Sequence, residues 1–168
     1  MHPSQLISMS DGNGPTMGTL SAFLTRRPRF AAALSFGLST ALLTHFAWLP
    51  TARMSGIAPA LTLAAGLTHA ISGAAIGPRL LDLRRTRTSS QAALLGAATS
   101  LLAQIFFAPA MAAYVSATNV PPHDPLAYVL LTLFTGLFAF LGAGWALLVL
   151  SAGIGVGLHR LVASSTAA

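Results

Sequence analysis

The 168-residue chain contains five histidines, three carboxylates and no cysteine, so its capacity for acid–base or metal chemistry can be weighed side chain by side chain. Without cysteine, disulfides, thiolate metal sites and thiol catalysis are excluded. Asp11, Asp82 and Asp124 all stand in polar stretches, outside the long apolar blocks. Proton-coupled pumps carry their proton on a carboxylate embedded in the membrane, and a small four-helix exporter of that type needs one in its first helix. The first apolar block here has none.

His45, His69 and His159 fall inside or at the ends of apolar blocks. A haem held by two histidines requires both at one depth on facing helices. At 1.5 Å rise per residue, His69 differs in depth from either of the others by about 12–13 Å. A haem or pigment held by His69 alone is the remaining form of that idea. No Gly-rich phosphate loop, cluster of metal ligands or catalytic triad is visible, and no carboxylate is placed to orient a buried histidine. The chain is therefore expected not to be an enzyme and to carry no cofactor.

The best candidates for a functional site are His69 and Gln104, a polar pair expected near mid-membrane. His69 lies about 18 Å along its block, and Gln104 falls at a similar depth, about midway along the next one. A neutral imidazole at that depth must find a hydrogen-bond partner, because lipid offers none. One reading is that His69 and Gln104 pair to fix helix register. The other is that they line a small polar cavity for a ligand, ion or substrate. Thr62, Gly66, His69, Gly73 and Gly77 recur at three- and four-residue spacing and so share one small, polar helix face, the kind that lets a second backbone approach. Gly73 with Gly77 and Gly153 with Gly157 are small-xxx-small pairs, and the first block offers Ser35 and Ser39.

The elements that must hold these residues follow from hydropathy. The chain is 54% apolar and only 7% charged, with mean hydropathy +0.72; an ordinary soluble domain carries about 25% charged residues. The apolar residues form four long blocks, over 30–49, 57–77, 91–117 and 126–158. The first is about 20 residues long, enough to cross a hydrocarbon core of about 30 Å. It is also longer than the core of a signal peptide, so it is expected to stay as a helix. Pro50 and Pro78 are expected to stop the first two helices and Pro109 to kink the third. The fourth block is too long for one straight span, so it is expected to be one helix bent or loosened at Gly142-Ala143-Gly144, the alternative being a re-entrant pair.

Arginine placement sets the orientation. With the N-terminus inside, Arg26, Arg27, Arg29, Arg79, Arg84, Arg85, Arg87 and Arg160 lie on the cytoplasmic side and only Arg53 lies outside. The net charge of +6 flanks apolar blocks and serves topology, so nucleic acid is not an expected partner. The expected fold is all-α: an integral membrane four-helix antiparallel bundle, N-in/C-in, spanning 26–160. Residues 1–25 are expected to be a flexible cytoplasmic tail and 161–168 a short one. The expected location is the bacterial inner membrane. Two functional classes follow: a structural or accessory subunit packing with itself or a larger membrane complex, and a small homo-oligomeric transporter or channel with a polar path near His69 and Gln104.

Overall fold

A computed structural model of the chain describes residues 22–52, 58–118 and 124–166. The expected tail through residue 21, the loop carrying Arg53, the connector at 119–123 and the last two residues lie outside them. The described residues are all helical apart from the 81–88 loop and single-residue breaks, with no strand among them. The helices are α1 (Pro28–Ala52), α2 (Ala58–Leu80), α3 (Ser89–Thr118), α4 (Pro125–Ala139) and α5 (Trp145–Thr166), the last two joined by a π-helical turn at Phe140–Gly144.

Local chemistry sets the boundaries. Before α3, the Thr88 hydroxyl accepts from the Gln91 N–H at 3.2 Å while Gln91 Oε1 accepts from the Arg87 N–H at 2.8 Å, a variant of the reciprocal capping box. Asp124 caps α4 by accepting from the Leu126 N–H at 2.9 Å, with Pro125 in the first turn, where its missing N–H costs nothing. The loop between α2 and α3 is closed by Thr86, whose buried hydroxyl donates to the Arg79 carbonyl at 2.7 Å.

Several boundaries differ from expectation. Neither Pro50 nor Pro78 ends its helix; α1 reaches Ala52 and α2 reaches Leu80. A proline in the last turn removes one N–H and leaves the turn's other bonds intact. Residues 22–25, expected as tail, are helical, and α5 runs to Thr166, past the expected helix end at 158 and into the expected tail from 161. The reason is apolar contact: Leu24 and Val162 are buried together with Phe36, Leu80, Leu81 and Leu158.

The fourth block is one continuous helix over Pro125–Ser164, loosened over Phe140–Gly144, where the glycines stand. Among the described residues α4 and α5 make no contact with each other except through that turn, so the block does not fold back as a re-entrant pair. A Cβ on Gly144 would come within 2.8 Å of the Phe140 ring, which would have to shift.

The packing inverts that of a soluble protein. Many buried positions are small: Ala31, Ala32 and Thr40 on α1; Ala65, Thr68 and Ser72 on α2; Ala92, Thr99, Ser100 and Ala103 on α3, with Phe36 and Leu80 the large exceptions at 0% exposure. The large apolar residues face outward, among them Leu34, Leu38, Leu63, Leu67, Ile71, Leu94, Leu101 and Ile105. Small residues let backbones approach: a Cβ on Gly37 would meet Ala70 at 2.8 Å, one on Gly66 would meet Ala41 at 3.0 Å, and one on Gly77 would meet the Pro28 carbonyl at 2.8 Å. Gly96 and Gly155 of α3 and α5 face the backbones of Ser151 and Ala92 in the same way. In each pair one sequence number rises as the other falls, so neighbouring helices run antiparallel. Among the described residues three helices, Pro59–Leu80, Ser89–Thr118 and Pro125–Ser164, are long and apolar enough to cross a membrane.

Candidate functional site

His69 is fully buried on α2 and makes two hydrogen bonds. Its Nδ1 lies 2.9 Å from the Ala65 carbonyl, an acceptor, so Nδ1 carries a proton and donates. Its Nε2 lies 3.3 Å from Ser100 Oγ on α3. In the neutral ring Nε2 is then the acceptor and the Ser100 hydroxyl the donor. The partner of His69 is therefore Ser100 rather than Gln104. The two α3 residues are four apart and face the same way, so the sequence had the correct helix face and missed by one turn. The short serine hydroxyl gave no hydropathy signal.

The face assigned to α2 also divides in two. Gly66, Gly73 and Gly77 turn to α1, whereas His69 turns to α3. His45 is exposed, edge-on to Phe46 at 5.7 Å. His159 is buried near the opposite end of the described helices, its Nδ1 without a hydrogen-bond partner among the described residues. Among the described residues no three His, Cys, Asp or Glu side chains come together.

His69 and Gln104 nonetheless meet at one cavity. Its volume is about 390 Å³, inside the range of small-molecule sites. All the helices contribute to it: Thr44 from α1, Leu61, Ala65 and His69 from α2, Gln104 and Phe107 from α3, Phe134, Thr135 and Phe138 from α4, and Leu147 from α5. No charged side chain lines it. Gln104 Oε1 is buried and has no hydrogen-bond partner among the described residues. An unsatisfied buried acceptor of this kind costs about 1–3 kcal/mol, so it is a feature that needs a reason.

The cavity exists because α4 leaves the packing of its neighbours. Among the described residues α4 packs on α3 alone and touches neither α1 nor α2, and no residue of α4 is buried. Bulky Leu131, Phe134 and Phe138 hold it off, and the π-helical turn redirects the chain so that α5 can close onto α3 through Gly155 and Gly96. π-Helical turns inside α-helices are frequent at functional sites. Sequence reasoning did not find the aromatic walls, because phenylalanine in an apolar block reads the same whether it faces lipid or a cavity.

Chemically, the site can hold an apolar body beside a few neutral polar side chains, Thr44, Gln104 and Thr135. Both ring nitrogens of His69 are committed, and no carboxylate stands by to move a proton. Compared with protein-family profiles, curated proteins and solved structures, the chain matches none.

Proposed function

We propose that this chain is a polytopic protein of the bacterial inner membrane with four spans and both termini in the cytoplasm, and that it binds an uncharged lipophilic small molecule without altering it chemically. The observation that carries the reading is the cavity among the helices, apolar-walled and lined by no charged side chain, with Thr44, Gln104 and Thr135 as its neutral polar residues beside His69. The apolar outer surface and the arginines gathered at the end shared by Leu24, Leu80 and Val162 support the membrane setting. A neutral cavity suits a binding or carrier protein better than a proton-coupled pump, which would need an embedded carboxylate.

Native mass spectrometry of the protein extracted from its own membrane in mild detergent tests this. One lipophilic molecule per chain is expected on the wild type. None is expected on Thr135→Phe or Ala143→Phe, which fill the space. A wild type that is empty in every preparation sinks the proposal.

A second reading, an accessory subunit that packs with itself or with a larger complex, is favoured by one observation. Gly153 and Gly157 lie one turn apart on α5, and nothing stands within 4 Å of where their Cβ atoms would be. That face is open to close approach by another helix. If the double variant Gly153→Leu/Gly157→Leu dissociates an assembly seen in mild detergent, this reading gains; an assembly indifferent to it removes the support.

A further inference from the structure

We infer that the groove between the end of α2, the 81–88 loop and the start of α3 binds the headgroup of one anionic phospholipid. Arg79 and Arg85 hold its phosphate, and an acyl chain runs along the outer face of α3. The inference rests on the membrane setting proposed above and is independent of the cavity beside His69.

The charge of the headgroup follows from what the groove presents. Its volume is about 320 Å³, and it is lined by Arg79, Arg85, Thr86, Gln91, Leu94 and Leu95. Arg79 is exposed, and among the described residues its guanidinium makes no hydrogen bond or ion pair. Arg85 is exposed as well and shares one contact with Asp82, at 3.4 Å. The Gln91 amide oxygen is taken by the Arg87 N–H at 2.8 Å, so its amide nitrogen is what it has to offer. The Thr86 hydroxyl is buried and spent on the Arg79 carbonyl, which ties the loop to the end of α2. The groups left to bind are therefore donors, two of them cationic, and no carboxylate stands in the lining. Guanidinium forks fit phosphate oxygens. The need for basic residues in an inner loop accounts for the arginines, but not for two of them sharing a groove with leucines.

The lipid follows from the apolar wall. Leu94 and Leu95 stand one turn beyond Gln91 along α3, toward the middle of the span. Leu94, Leu101 and Ile105 recur at seven- and four-residue spacing and so share one helix face, and all three are exposed. From Leu94 to Ile105 that face runs about 17 Å, close to the half of a roughly 30 Å hydrocarbon core that one leaflet supplies. A free phosphate would use the arginines and leave this track bare. A phospholipid fills both. Basic pockets between helices at the cytoplasmic face take anionic headgroups in this way.

Native mass spectrometry of the purified full chain in detergent tests this, with dioleoyl phosphatidylglycerol and dioleoyl phosphatidylcholine added in equal amounts. The wild type should retain one phosphatidylglycerol in preference to phosphatidylcholine by about ten- to thirtyfold, the weight of two arginines at the membrane surface. Arg79→Gln/Arg85→Gln should bring the ratio near one. Arg84→Gln/Arg87→Gln removes the same charge from the same loop outside the groove and should keep the wild-type ratio. If the first double variant fails to fold, Arg79→Gln alone should show about a fifth of that ratio. Equal losses in the two double variants would mean a diffuse attraction and overturn the site. Excess inorganic phosphate, with ionic strength matched by chloride, should leave the lipid bound; displacement would assign the groove to a free anion and overturn the lipid. Thr135→Phe, which fills the cavity, should keep the preference, and its loss there would place the lipid in the cavity instead. A wild type without preference overturns the groove and leaves the cavity reading untouched.

Discussion

The α1–α2 pair and the α4 segment are built from similarly apolar sequence, yet one closes tightly and the other encloses space. Along α1 and α2 the facing residues are glycine, alanine, serine and threonine, and backbones come close enough that Cβ atoms on Gly37, Gly66, Gly73 or Gly77 would collide or nearly so. Along α4 the facing residues are Leu131, Phe134 and Phe138, which line a cavity of about 390 Å³. Hydropathy does not separate the two regions. In lipid, helices gain nothing by hiding leucine from an equally apolar solvent, so side-chain size at the interface decides whether two helices meet.

The contrast can be broken most forcefully at the glycines. Gly96→Ala or Gly155→Ala places a Cβ against the backbone of Ser151 or Ala92. Each should lower stability by about 1–3 kcal/mol, read as a lower unfolding midpoint in detergent. Normal stability of both variants would show that α3 and α5 are not packed as described.

Next in size is Ser100→Ala, which leaves His69 Nε2 without its donor inside the helix packing. A loss of about 0.6–1.7 kcal/mol is expected, the range of interhelical hydrogen bonds in membranes. Thr99→Ala is the control, since the Thr99 hydroxyl bonds only within its own helix, to Leu95 at 3.0 Å. If the two variants lose equally, the His69–Ser100 link contributes nothing of its own.

Gln104→Met should move stability in the opposite direction. Removing an unpartnered buried acceptor is expected to raise the midpoint by up to about 1 kcal/mol. A destabilised Gln104→Met protein would mean that this side chain holds the fold together. The smallest effect belongs to Gly153→Ala, which faces open space. It should gain a few tenths to about 1 kcal/mol from helix propensity alone, in sign contrast to Gly155→Ala two residues on.

Much of the architecture was legible because it depends on length and periodicity. The apolar blocks became helices, and the glycines at 142 and 144 marked the π-helical turn. Helix ends were less legible. Pro50 and Pro78 carry a strong stop signal that a last helical turn tolerates, and the burial of Leu24 and Val162 against distant Leu80 and Leu81 cannot be read from local polarity. At the site, the depth arithmetic brought His69 and Gln104 to one place. It could not resolve which residue on the α3 face meets the imidazole, because Ser100 and Gln104 differ by a single turn. A small polar cavity at this pair was one of the two readings, but its apolar walls were illegible, since they arise where α4 fails to touch α1 and α2, and a missing contact leaves no mark in the sequence.

Both regions make physical sense only with hydrocarbon around them, so the setting is the claim to test most directly. The chain has no cysteine, and single substitutions at exposed Ser90, Ala117 and Ser164 give clean labels. Ser90 and Ala117 lie at opposite ends of α3, about 40 Å apart along the helix axis. In spheroplasts treated with a membrane-impermeant maleimide, Ala117→Cys should react at once, and Ser90→Cys and Ser164→Cys only after permeabilisation. Reaction of Ser90→Cys and Ala117→Cys from the same side, or recovery of the chain in the soluble fraction without detergent, would contradict the account.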